Sequence, residues 1–168
     1  MLGVPFAVRP ADVREREAGV PEDVAVENAR AKALAVPAGP EEVVLGVDTL
    51  VATDAGIWGK PPDEAAARAT LRHLAGRSHV VVSGVALACG GDVRSAIDTT
   101  VVTFRDLDDA ALEWYLAGGE WRGRAGGYAI QGRGGALVRR IEGDYLNVVG
   151  LPIGALLDLW PGLLRVAR

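Results

Sequence analysis

Apolar and polar positions fall into blocks of distinct period, and those blocks predict the elements. Residues 21–36 carry Val24, Val26, Ala29, Ala33 and Leu34 among charged neighbours and end at Pro37 and Gly39, which predicts an early amphipathic helix. Residues 43–51 are almost wholly apolar and β-branched, and Asp54-Ala55-Gly56 turns the chain into Ile57-Trp58-Gly59, a strand and hairpin. Pro61, Pro62 and Asp63 open a second helix through Ala65, Ala69, Leu71 and Leu74, with Gly76 placed to stop it. Residues 79–89 and 93–104 are two long arms joined at Gly90-Gly91, a pair that tolerates the positive φ of a two-residue hairpin turn. A helix over 108–116 has Leu112, Trp114, Tyr115 and Leu116 as its apolar side. Strands over 128–130 and 136–141 around a glycine-rich turn, and a helix over 151–159, complete the chain. No repeat or linker divides it. The pattern predicts one α/β domain over residues 1–168, with a mixed sheet, because hairpins and helical crossovers are both present.

Composition narrows the class. With 168 residues, 49% hydrophobic and 24% charged, the chain can bury a core and is not generally disordered. A formal charge of −4 argues against gripping a nucleic acid polymer over a broad basic face, while a small phosphorylated ligand held by a few cations stays open. Cys89 is the single cysteine, so there is neither a disulfide framework nor a Cys/His zinc pattern, and a reducing cytoplasm fits best. No signal-like start and no bilayer-length apolar window is present, which predicts a soluble, unprocessed protein without a membrane partner. Of the 18 Lys and Arg residues, only Lys32 and Lys60 are lysines.

Asp48 is the sharpest chemical signal. Period-two alternation places it in a row with Val44, Gly46 and Leu50, and a carboxylate in an apolar row needs a partner or a ligand. Gly46, two residues earlier on that face, is expected to let a ligand approach the backbone. An acid so placed serves as general base toward water or as a metal ligand. Lys60 follows the hairpin that carries Asp48, and Lys32 lies near the end of the first helix; a lysine is a compact charge suited to a phosphate oxygen. Residues 118–135 hold eight of the 22 glycines, with Arg122 or Arg124 available to phosphates. There the Gln131 amide offers the donor and acceptor that match an imide edge such as that of uracil or thymine. Glu142 to Tyr145 and Asn147 read as turn and cap residues, and neither His73 nor His79 has a ligand partner at recognisable spacing.

The ordered set Leu45-Gly46-Val47-Asp48-Thr49, Trp58-Gly59-Lys60-Pro61, His79 to Val85, Gly126 to Gly132 and Glu142 to Pro152 resembles the Maf family of nucleoside triphosphate pyrophosphatases over nearly the whole chain. The resemblance implies an elongated α/β fold related to the inosine triphosphate pyrophosphatases, with the nucleotide in a cleft between two lobes. It implies that water attacks the α-phosphorus of dTTP, UTP or a modified pyrimidine triphosphate, releasing pyrophosphate and the monophosphate. Asp48 then corresponds to the proton acceptor, Thr49 and Gln131 to residues of substrate choice, and Lys60 and Lys32 to lysines of the nucleotide site. Glu15 falls where the family carries an acid near metal and phosphates, although Arg14 replaces the acid usual beside it. A magnesium or manganese ion is implied, with Asp48 and Glu15 its candidate ligands, and a homodimer is among the assemblies open to such a chain. The family's Ser-x-Ser-Pro-Arg-Arg segment is not found, and residues 1–6 match the stretch that normally ends the first helix, so a late start or a truncation is expected. Two other readings stand beside this one: a noncatalytic nucleotide sensor acting in septum formation, and a pyrophosphatase with another base preference, such as 7-methyl-GTP.

Overall fold

Strand β1 (Val44–Thr53) organises the molecule, because its two faces bury different layers. The structure, a computed structural model, describes residues 3–165. β1 turns into the short β2 (Gly56–Trp58), with Val51 opposite Trp58, and on its other side pairs with β3 (Ser78–Cys89), with Asp48 opposite Gly84. Gly90 and Gly91, at φ of +56° and +94°, return β3 into β4 (Asp92–Phe104), and β5 (Val138–Glu142) pairs with the end of β4. The order is β2-β1-β3-β4-β5 and every one of these pairings is antiparallel, where the sequence predicts a mixed sheet. The expected helical crossover exists: α2 (Glu64–Leu74), capped by the Asp63 carboxylate accepting from Ala66 N, carries the chain from β2 to β3. It passes over β1, so the two strands it joins run parallel without being neighbours.

Helix α1 (Pro21–Ala35) covers the β1 face that carries Gly46, Asp48 and Leu50, burying Ala25, Ala29 and Ala33. Two glycines allow that closeness. A Cβ on Gly46 would collide with the Ala29 carbonyl and lie 2.7 Å from Ala33 N; one on Gly84 would collide with the Ala25 carbonyl and lie 2.7 Å from Val26 N. Gly46 therefore admits a helix, not the ligand that its place beside Asp48 suggests. The opposite face packs Val51, Val81, Val102 and Phe104 against Leu71 and Leu74 of α2 and Leu112, Tyr115 and Leu116 of α3 (Asp109–Ala117). Farther along it, Val85 and Leu87 meet Leu156.

Several loop expectations change. Residues 128–130 are not a strand but a link between 3-10 turns at Ala125–Gly127 and Arg133–Leu137. Gly126 and Gly127 take φ of +64° and +70°, and Gly134 lies against the backbone of Ala129, so the segment folds on itself instead of pairing with the sheet. Trp114 is half exposed under the Arg133 guanidinium, off the buried side of α3. Asp144 caps as expected, accepting from Leu146 N, but it opens a further helix, α4 (Tyr145–Val149), before α5 (Ile153–Leu159). Met1 and Leu2 lie outside the described residues, and residues 3–6, matched to the end of a helix, are irregular.

Candidate active site

A cavity of about 550 Å³ opens along the edge of β1, within the size range of small-molecule sites. β2 pairs only with Val51 to Thr53, and among the described residues no strand pairs with the outer edge of β1 before that point. The cavity consequently wraps the strand edge, and Asp48 and Thr49, on opposite faces, both line it. Glu15, Lys32, Lys60 and Gln131 line it as well, so all six residues singled out in the sequence come together.

Asp48 is only 5% exposed and is held by helix α1. Lys32 Nζ donates to its Oδ1 at 2.5 Å, and Asn28 Nδ2 donates to its Oδ2 at 2.9 Å. Lys32 also reaches Glu15 Oε1 at 2.8 Å and the Val47 carbonyl at 3.3 Å. Burial alone would lower the Lys32 pKa, but its hydrogen bonds to Asp48 and Glu15 outweigh that and raise it above the ordinary lysine value. Glu15 is lowered, first by its hydrogen bond with Lys32 and further by the charges of Lys32 and Lys60, against the opposing effect of burial. Lys32 thus joins two carboxylates at one wall of the cavity.

The opposite wall is the glycine-rich loop, tied down at several points. Gly126 N donates to the Gly59 carbonyl at 3.1 Å, which fastens the loop beside Lys60. Ala129 N donates to the Tyr115 hydroxyl at 3.0 Å, and the Tyr128 hydroxyl bonds His79 Nε2 at 2.9 Å. These anchors hold the exposed Gln131 at the cavity. Between the walls, the Thr49 hydroxyl bonds that of the fully buried Ser83 at 2.8 Å. Arg124 lines the cavity, whereas Arg122 lies over the Trp121 ring at 4.5 Å and does not, which separates the two arginines that the sequence leaves equal. Among the described residues, Lys60 and Arg124 are cavity cations in none of the ion pairs, which leaves them for an anionic ligand.

The cavity's carboxylates, Glu15, Glu17 and Asp48, are the groups suited to a divalent cation. No group of three or more His, Cys, Asp and Glu converges among the described residues, so the chain offers no complete protein cage. Asp48 and Glu15 do share Lys32, and each of their oxygens keeps lone-pair capacity beyond that contact. One or two carboxylates, completed by substrate phosphates and water, is the usual way magnesium is held, and these residues fit it.

Sequence reasoning missed Asn28, Arg16, Tyr128 and the end of α4 at Val148 to Gly150. The last three line the cavity, while Asn28 stands behind Asp48. Asn28 reads as an ordinary polar position of a helix and Arg16 as one charge among many, so only tertiary contact marks them; Tyr128 and Val148 to Gly150 lie within the motifs that carry the resemblance, which is the signal that could have found them.

The family model described as Maf-like protein matches residues 1–161. A dTTP/UTP pyrophosphatase of Pyrococcus furiosus is 42% identical over 157 residues, covering 92% of this chain and 80% of the relative. Proteins of the same name from Symbiobacterium thermophilum and Exiguobacterium sibiricum are 44% and 46% identical over 155 residues each, covering 90% of this chain and 80% and 78% of theirs.

Proposed function

The chain belongs to the Maf family, and from that premise we propose that it is a nucleoside triphosphate pyrophosphatase acting on dTTP, UTP or modified pyrimidine triphosphates. The observation that carries the reading is the meeting of Asp48, Lys32, Glu15, Lys60, Thr49 and Gln131 in one cavity of nucleotide size. Water attacks the α-phosphorus while Asp48 takes its proton; the bond from the α-phosphorus to the α,β-bridging oxygen breaks, and pyrophosphate and the nucleoside monophosphate leave. Lys32 keeps Asp48 oriented and offsets part of its charge, so a triphosphate can approach two carboxylates. Lys60 and Arg124 meet the phosphates, and Gln131 presents donor and acceptor to the imide edge of the base. Asp48 and Glu15 would hold a magnesium or manganese ion, which when bound neutralises the triphosphate and the departing pyrophosphate. A free nucleotide as substrate and the unpaired thiol of Cys89 support a cytoplasmic setting.

Pyrophosphate release over dTTP, UTP, CTP, GTP and 7-methyl-GTP, with magnesium or manganese, tests this. We expect dTTP and UTP to lead, and Asp48→Asn to lower kcat by about 10²–10⁴-fold. Full activity in Asp48→Asn would remove the proton-acceptor role. Tight nucleotide binding without turnover of any substrate would make the protein a sensor instead.

A further inference from the structure

We propose that Asn28 is a positioning residue for the reaction, setting the plane of the Asp48 carboxylate and the place of Glu15 with one amide; this rests on the reading of Asp48 as proton acceptor. Asn28 is 3% exposed and does not line the cavity, so it acts through others. Its Nδ2 donates to Asp48 Oδ2 at 2.9 Å and to the Arg16 carbonyl at 3.0 Å, and its Oδ1 accepts from Arg16 N at 2.8 Å. Both backbone groups of Arg16 are therefore engaged by one side chain, much as a neighbouring strand would engage them. Residue 16 sits between Glu15 and Glu17, and all three line the cavity.

A single ion pair to a long lysine fixes the position of one carboxylate oxygen but leaves the group free to rotate. Asn28 and Lys32 are four apart and share one face of α1, and between them they hold the two oxygens of Asp48. Rotation is then fixed, and with it which lone pairs meet the attacking water. An asparagine is short, so the device requires the helix to lie close to β1, and the missing Cβ atoms of Gly46 and Gly84 allow that.

The test uses the full chain and steady-state pyrophosphate release from dTTP with magnesium. Asn28→Asp keeps the shape and still accepts from Arg16 N, but its carboxylate has no hydrogen for Asp48. Asn28→Ser is too short to reach Asp48 and adds no charge. Both are expected to lower kcat by about 10- to 100-fold, as for a reacting group displaced by an ångström, with KM for dTTP within about twofold. Leu71→Ala, on the buried face of α2, is the control for lost stability alone and should keep its kcat. Wild-type kcat in either folded Asn28 variant overturns the proposal, as does a kcat loss no larger than that of Leu71→Ala at equal melting temperature. Asp48→Asn is measured alongside: if it is inactive while the Asn28 variants are not, only the positioning role falls. If Asp48→Asn turns over normally, or the wild type does not turn over, the reading beneath the proposal falls with it.

Discussion

Lys32 and Lys60 occupy the same cavity in opposite electrostatic situations. Lys32 is half-buried and committed to Asp48 and Glu15, while Lys60 is exposed and, among the described residues, in no ion pair. A compact ammonium suits a single phosphate oxygen, and the longer, planar guanidinium prefers a bidentate partner. Lys60→Arg should therefore lower kcat/KM for dTTP about tenfold, or ~1.4 kcal/mol, although the charge is kept. Unchanged kinetics in that variant would show that only the charge matters. Residues of this kind were legible in the sequence because each breaks its surroundings: Asp48 interrupts an apolar run, and two lysines stand out among arginines. Asn28 was not legible, since a polar residue in an amphipathic helix carries no mark of the carboxylate it meets across a tertiary contact.

The packing of α1 on the sheet is the element on which the site depends. Ala25, Ala29 and Ala33 present small side chains to β1 and β3, and Gly46 and Gly84 present none. Gly46→Ala places a methyl group against the helix backbone, which cannot move aside as a flexible side chain would. Overpacking of this kind costs about 1–3 kcal/mol, and here it also lifts Asn28 and Lys32 from Asp48. Urea denaturation should show that loss, and kcat should fall by more than a stability loss explains. The elements themselves were largely legible: Pro21 and Pro37 bound α1, Asp63 and Asp108 cap α2 and α3, and Gly90-Gly91 marks the β3–β4 hairpin. The stretch 128–130 was not, because Tyr128, Ala129 and Ile130 have strand composition, while the glycines around them fold the chain back on its own backbone.

At the scale of the whole molecule, the core behind the cavity contains one group that couples stability to pH. His79 is buried against Phe104 and Tyr128, with ring centroids 5.0 and 5.5 Å away. Burial pushes its pKa from 6.5 down to about 4. The unfolded chain takes up a proton near pH 6.5 and the folded chain only near pH 4, so this stability is present above pH 6.5 and is lost as pH falls toward 4. The loss is on the order of 3 kcal/mol. Thermal melts between pH 7 and 4 should show this decline, and His79→Gln should flatten it; an equal slope in both proteins would place the titration elsewhere.

Sheet order was the least legible level. Sequence shows that a helix crosses over but not that it crosses a strand already in place, which is what separates the parallel pair β2 and β3 and leaves every neighbour antiparallel. The same topology leaves the outer edge of β1 without a strand among the described residues before Val51, with Val43 and Leu45 exposed beside it. An open, apolar edge invites strands of other molecules to add to it. Val43 and Leu45 lie outside the cavity, but Val47 to Leu50 of the same edge line it, so whatever fills the cavity also covers backbone to which a further strand could pair.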